Sequence, residues 1–273
     1  MSTQSERRAA AHDVLRTLTG TDDPQRASGS MERRHGDLGT FAIDHVLGNL
    51  WSRPQLSRRD RSLIVVAFLV TIGAEDELSV HVEGALNHGV TRDEVREVVN
   101  QVAGYAGFPL SMHATRIVDR TFARVDGVER LDPKQAGPRL DDEQRRDAAA
   151  DVMGTMFGGR VSSDPVQARA GMVDALGGVG ELAYDFAFGE LWARDQLSRR
   201  DRSLVTVAIL GMLKATDELA VHVPGALNHG CTRQEIEEAM VQLTVYGGFP
   251  RAVEAMRATR AAFAKIDARA SQK

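Results

Sequence analysis

Apolar residues recur at intervals of three and four along most of the chain, and no stretch alternates with period two over several residues. That is the pattern of amphipathic helices, not of strands. Ser57 is placed to N-cap a helix running to about residue 72, in which Leu63, Val66, Ala67 and Val70 share a face. A second helix is expected over about residues 76–88, ended by Gly89 in a left-handed conformation. Thr91 and Glu94 have capping-box spacing, and so do Thr232 and Glu235. Beyond Thr91, Val95, Val98, Val99 and Val102 form an apolar face, while Glu94 and Glu97 fall on the face expected to be exposed. Pro109 can open a last helix through Thr115 and Phe122, because a proline in the first turn forfeits no hydrogen bond. The expected fold is all-α.

The pattern occurs twice. Residues 56–109 align without a gap to 197–250, an offset of 141, and 33 of the 54 positions are identical. Upstream the match weakens, but Asp13 pairs with Asp151 if about three residues are inserted. A period this long marks a duplicated domain, not a solenoid repeat. The expected domains are 1–130 and 143–273, joined by a linker at 131–142 where Pro133, Gly137 and Pro138 break helices. Helices this apolar in a unit of such size imply burial against partners. The fused pair supplies one such contact, and a homo-oligomer, a dimer or trimer of tandem chains, is expected to supply the rest.

Composition narrows the function classes. The net charge is -4, which argues against a nucleic-acid partner, and three Tyr and two Trp offer few stacking platforms. The longest apolar run, residues 63–72, is about ten residues, short of the roughly 18 that a membrane span needs. The N-terminal residues lack the apolar stretch of a signal peptide. One cysteine, Cys231, cannot form an internal disulfide, so the expected compartment is the cytoplasm.

Polar residues identical in both copies are the candidate chemistry. Glu77 and His81, repeated as Glu218 and His222, are four apart on a helix and share a face. A carboxylate beside an imidazole favours a protonated, donor-ready ring, as a general acid requires. The competing reading is a surface ion pair. His88, repeated as His229, lies two turns further on, where a cation would favour the helix end. His81 and His88 are too far apart to ligate one ion, and no cysteine cluster completes a set, so no metal is expected. Arg58, Arg59 and Arg61 precede the most apolar helix; Arg61, with Arg202, is the candidate clamp for a substrate carboxylate. Cys231 reads as a small buried side chain.

Together these motifs resemble the carboxymuconolactone decarboxylase family. The entry block is Trp51-x-Arg53-Pro54-x-Leu56-Ser57-Arg58-Arg59-x-Arg61-Ser62-Leu63. The central block is Glu77-Leu78-x-Val80-His81 followed by Ala85-Leu86-x-x-Gly89, and the closing block is Tyr105-Ala106-Gly107-Phe108-Pro109. The second copy repeats all three and adds Gly189-Glu190-Leu191-Trp192. The resemblance implies an all-helical fold of the alkyl hydroperoxidase D type, assembled as trimers or hexamers of single units. It implies cofactor-free removal of the ring carboxylate of 4-carboxymuconolactone in aromatic-compound breakdown. On this likeness His81 or His222 protonates, Glu77 or Glu218 orients it, and arginines with His88 and His229 hold the substrate. The redox branch of the superfamily needs Cys-x-x-Cys before the histidine; Ala74 and Glu77, or Ala215 and Glu218, stand there instead, which excludes thiol–disulfide exchange at this site. Three departures stand out. Ser111-Met112-His113 and Ala252-Val253-Glu254 lack the family's asparagine, Asn49 replaces Glu190 in the first copy, and Pro224 is expected to kink the helix beyond His222. Two other functions remain open: an isomerase or lyase for another enolisable acid or lactone in secondary metabolism, and a non-catalytic ligand-binding oligomer.

Overall fold

The computed structural model describes residues 3–131 and 139–272, and its described residues are helical with no strand. The linker breakers Pro133, Gly137 and Pro138 lie outside the described residues. The first half contains α1 (Gln4–Thr19), α2 (Pro24–His35), α3 (Asp37–Phe41), a π-helical segment π1 (Ala42–Trp51), α4 (Arg58–Ile72), α5 (Glu75–Asn87), α6 (Arg92–Tyr105) and α7 (Phe108–Asp126). The second half repeats the order as α8 (Asp142–Met156), α9 (Pro165–Leu176), α10 (Gly178–Leu182), π2 (Ala183–Leu191), α11 (Arg199–Leu213), α12 (Thr216–Asn228), α13 (Arg233–Tyr246) and α14 (Phe249–Ala270).

The local signals act as the sequence suggests. Ser57 and Ser198 cap α4 and α11, and Thr91 and Thr232 close full capping boxes on α6 and α13. α12 runs unbroken through Pro224, so the expected kink does not end the helix. No helix among the described residues is long and apolar enough to cross a membrane.

α4 and α11 are the centre of the molecule. Every residue over 60–71 and 201–212 is buried, as expected of helices enclosed on all sides. They pack on each other, and each also receives a helix from the opposite half: α13 lies on α4 and α6 on α11. One apolar core therefore runs through both halves. The seam carries matched ion pairs, Arg59 to Asp201 at 3.0 Å and Arg200 to Asp60 at 2.9 Å, so the halves face each other about a pseudo-two-fold axis. Glu97, expected on an exposed face, is 2% exposed, as is its counterpart Glu238. The opposite half covers both, which a helical-wheel reading of one copy cannot anticipate.

Candidate active site

His81 sits in the middle of α5, and the residues around it come from both halves. Trp51, the last residue of π1, lies between two histidines. Its ring stacks on His81 at 5.8 Å and 16°, and meets His88 at 5.8 Å and 39°. The wide π turn brings π1 hard against α1: a Cβ on Gly48 would stand 2.5 Å from the Arg7 carbonyl oxygen. The site is closed by Tyr246 at the end of α13, from the other half. Trp51 Nε1 donates to the Tyr246 hydroxyl at 3.1 Å, and that hydroxyl lies 3.3 Å from His81 Nε2. An indole N–H only donates, so the tyrosine oxygen accepts there and its own proton is free for Nε2. The imidazole then carries its proton on Nδ1, a tautomer assigned from this network. His81 Nδ1 is buried and has no protein partner.

Behind the tyrosine, Arg61 is fully buried. Its guanidinium donates to Gln242 Oε1 at 2.7 Å, to Glu238 Oε1 at 2.8 Å and to the Arg53 carbonyl at 2.8 Å. Arg53 also pairs with Glu238, at 2.6 Å. Burial pushes the Glu238 carboxyl up, but hydrogen bonds from Arg53 and Arg61 outweigh it and hold the group below the usual range. Arg61 thus tethers the helix that presents Tyr246. Its placement differs from that expected of a substrate clamp, because both terminal nitrogens of the guanidinium are already engaged by Gln242, Glu238 and the Arg53 carbonyl.

The second site repeats the arrangement. Trp192 lies between His222, at 6.2 Å and 20°, and His229, at 5.6 Å and 37°, and its Nε1 donates to Tyr105 at 2.9 Å. Arg202 is fully buried against Glu97, at 2.7 Å, and Gln101, at 3.2 Å. On α12, the helix that also holds Pro224, His222 stands 0.4 Å further from its tryptophan than His81 does (6.2 against 5.8 Å).

Electrostatics overturn the expectation of a protonated ring. Burial, then the neighbouring His88, pushes His81 down to about 4; burial and His229 do the same to His222. Glu77 and Glu218 are exposed one turn earlier, and neither makes an ion pair with its histidine. At neutral pH both rings are therefore neutral. His88 is also neutral, pushed down to about 4 by burial and by Arg58, so it is no helix-end cation. Its Nδ1 lies 2.8 Å from Ser62 and its Nε2 3.0 Å from Thr17, which occupies both ring nitrogens in joining three helices. His229 meets Ser203 at 2.8 Å, and its Nε2 is left unpartnered. Asn87 and Asn228 fasten the same helix ends to the Leu18 and Met156 carbonyls. Cys231 is buried, its thiol pushed up to about 12 by burial. No group of metal-ligating side chains gathers among the described residues. A separate apolar crevice of about 220 Å³ lies between α4, α5 and α7, lined by Leu69, Leu78, Leu110 and Ile117 with His113 at its rim, and His81 does not line it.

Sequence reasoning gave no site role to the partners that define these sites: Trp51, Glu238, Gln242 and Tyr246, with Trp192, Glu97, Gln101 and Tyr105. Their signal was present, since all four pairs are identical between the copies. The missing piece was that each pair works across the seam.

Similar to part of the chain is 4-carboxymuconolactone decarboxylase of Acinetobacter baylyi, 34% identical over 110 residues, 40% of this chain and 82% of the relative. Nitrosuccinic acid decarboxylase of Metarhizium robertsii is 42% identical over 80 residues, 29% of this chain and 56% of that protein. Peroxisomal protein 2 of Schizosaccharomyces pombe is 35% identical over 77 residues, 28% of this chain and 36% of its own length. The model of the carboxymuconolactone decarboxylase family matches twice, over residues 37–120 and 178–261, at the same offset of 141 that the repeat shows. The two matches span more than half of the sequence, and the chain belongs to the carboxymuconolactone decarboxylase family as a tandem member.

Proposed function

We propose that the chain is a cofactor-independent decarboxylase of a small carboxylated lactone of the 4-carboxymuconolactone type, acting in the cytoplasm in the breakdown of aromatic compounds. The observation that carries this reading is the His81 imidazole, fixed through Nε2 by Tyr246 and left with an unpartnered N–H at Nδ1. The bond from the ring carbon to the carboxylate breaks, carbon dioxide leaves, and the electron pair runs through the conjugated double bond to the lactone carbonyl oxygen. An N–H donor aimed at that oxygen stabilises the enolate as charge develops. The substrate's negative charge also offsets the burial that keeps the ring neutral, so His81 takes up a proton in the complex and delivers it to carbon. One proton is consumed for each carbon dioxide released. Glu77, exposed one turn earlier, exchanges that proton with solvent, and His222 with Glu218 forms the second copy of the pair. Arg61, Arg202, His88 and His229 shape the sites from behind.

The reading includes self-association. The accessible surface is 14203 Å², whereas a compact monomer of this mass exposes about 11,600 Å². Six exposed apolar positions recur at the repeat offset, among them Phe108 with Phe249 and Met112 with Val253. A dimer or trimer of tandem chains would cover them.

The likeness to nitrosuccinic acid decarboxylase favours a second substrate within the same chemistry: an open-chain acid whose carboxylate lies near a strong electron sink. Purified protein is to be assayed for carbon dioxide release from 4-carboxymuconolactone, beside His81→Ala, His222→Ala and the double variant. Release that the double variant abolishes supports the lactone reading. A folded wild type that releases nothing from it retires that substrate and leaves the open-chain acid to be assayed in the same way.

A further inference from the structure

The two composite sites share a frame but differ at one buried polar position. Val65 of α4 has Thr206 of α11 as its counterpart, and both are fully buried. In the His222 site, Gln101 Nε2 donates to Thr206 Oγ1 at 3.0 Å. An amide NH2 only donates, so Oγ1 accepts there and keeps a second lone pair for the hydroxyl of Tyr105, whose side-chain hydrogen-bond partners include Thr206. Trp192 Nε1 already donates to the Tyr105 oxygen at 2.9 Å. With Trp192 on its oxygen, the phenol gives its own proton to Thr206 Oγ1, and that proton is not available to His222. The tyrosine ring stands edge-on to His222 at 5.4 Å, but the His222 ring makes no hydrogen bond among the described residues.

In the His81 site the valine offers nothing. Gln242 Nε2 is buried with no partner, Tyr246 receives Trp51 alone, and its hydroxyl reaches His81 Nε2 at 3.3 Å. The ring geometry is otherwise matched, at 5.5 Å against 5.4 Å between tyrosine and histidine. An unsatisfied buried amide costs about 1–3 kcal/mol. A hydroxyl at position 65 would relieve that cost, and its absence leaves the tyrosine committed to the histidine.

We propose that Thr206 is a positioning residue that uncouples Tyr105 from His222, so that the duplicated sites are unequal and turnover passes through His81. The inference rests on the decarboxylase reading for its kinetic arm only. Phe68, which stacks on Tyr246 at 6.0 Å, is replaced by Ile209, and Pro224 replaces Glu83; neither substitution adds or removes a hydrogen-bonding group beside the tyrosine.

The test is the nitrogen-15 spectrum of the imidazoles, which separates the two neutral tautomers, with assignments made by His81→Gln and His222→Gln. In the wild type His81 is expected as the Nδ1–H form alone, and His222 as a mixture or the Nε2–H form. Thr206→Val should bring His222 to the His81 pattern, Thr206→Ser should leave it as in the wild type, and Val65→Thr should release His81 from its single form. In turnover, Val65→Thr should lower kcat by roughly tenfold or more with little change in KM, and Thr206→Val should raise kcat up to about twofold as a second site joins. If Val65→Thr does not fold, the Thr206 pair of variants still decides. Identical tautomers for His81 and His222 in the wild type, or a His222 spectrum unmoved by Thr206→Val, would overturn the proposal. Absence of turnover on 4-carboxymuconolactone would count against the proposed substrate, while the spectra still decide the role of Thr206.

Discussion

Arg61 and Glu238 meet at 2.8 Å across the seam between the halves, with side chains 0% and 3% exposed. A buried pair of this kind adds little over a well-packed apolar pair, but removing one member strands a charge where water cannot reach it. Glu238→Ala should therefore destabilise the fold by roughly 3–5 kcal/mol, measured by urea denaturation, and Glu97→Ala should match it. Glu238→Gln, which keeps an acceptor for Arg61, should lose less. A cost below about 1 kcal/mol for Glu238→Ala would mean that the pair is solvated and that the seam is looser than described.

The seam also explains which features the sequence made legible. Caps, helix ends and the all-α class follow from local spacing, and Ser57, Thr91 and Pro109 act where that spacing puts them. The duplication was legible because identity at a fixed offset needs no structure. Asp13 and Asp151, aligned on a weak match, prove to be equivalent, since each pairs with the arginine of its own half, Arg58 or Arg199. Roles that depend on long-range contact were hidden. Arg61 reads as a free cation and Glu97 as a surface carboxylate until the opposite half covers them. The state of His81 was misjudged for a related reason: spacing shows Glu77 nearby, but not the burial that keeps the ring neutral.

Acid should unfold the protein earlier than its composition suggests. His81, His88, His222 and His229 are each held near 4, below the ordinary 6.5. Between those values the unfolded chain binds protons that the folded chain refuses, so stability falls as pH drops from about 6.5 towards 4. Each neutral histidine contributes up to about 1.4 kcal/mol per pH unit in that window. Near and below 4, protonation of Glu97, Glu238 and Asp201, all held below the usual carboxylate range against their burial, adds to the loss. Thermal melts from pH 8 to 4 should show a flat region above pH 7 and a steep decline below 6. A melting temperature constant to pH 5 would show that these rings titrate as in water.

Tyr246→Phe separates chemistry from packing. The change leaves Trp51 Nε1 without its acceptor, costing about 1–3 kcal/mol, and frees the tautomer of His81. Turnover should fall roughly 10²-fold, with KM near the wild-type value, because the ring stack on Trp51 persists. Tyr105→Phe strands Trp192 in the same way and should cost the same stability, yet little activity, since its hydroxyl does not bond His222. Equal losses of kcat in the two variants would mean that the sites work alike.

The exposed apolar face predicts the assembly. Phe249 is 71% exposed and its counterpart Phe108 is 55% exposed, and both open helices at the same place in each half. Phe108 already leans on Phe186 of the other half at 5.7 Å, so this face continues the internal seam outward. An aromatic ring in water contributes nothing to the fold of its own chain, which makes Phe249→Asp a test of association with little effect on folding. Wild-type protein at micromolar concentration should sediment at two or three times the chain mass of 29.7 kDa. Phe249→Asp combined with Met112→Asp should shift it to the single-chain mass while leaving the helical circular dichroism unchanged. The His81 site is completed within one chain by Tyr246, so turnover per chain should survive the dissociation. A wild type already at 29.7 kDa would show that this face is not a contact between copies. Loss of turnover on dissociation would show that a second chain helps to shape the site.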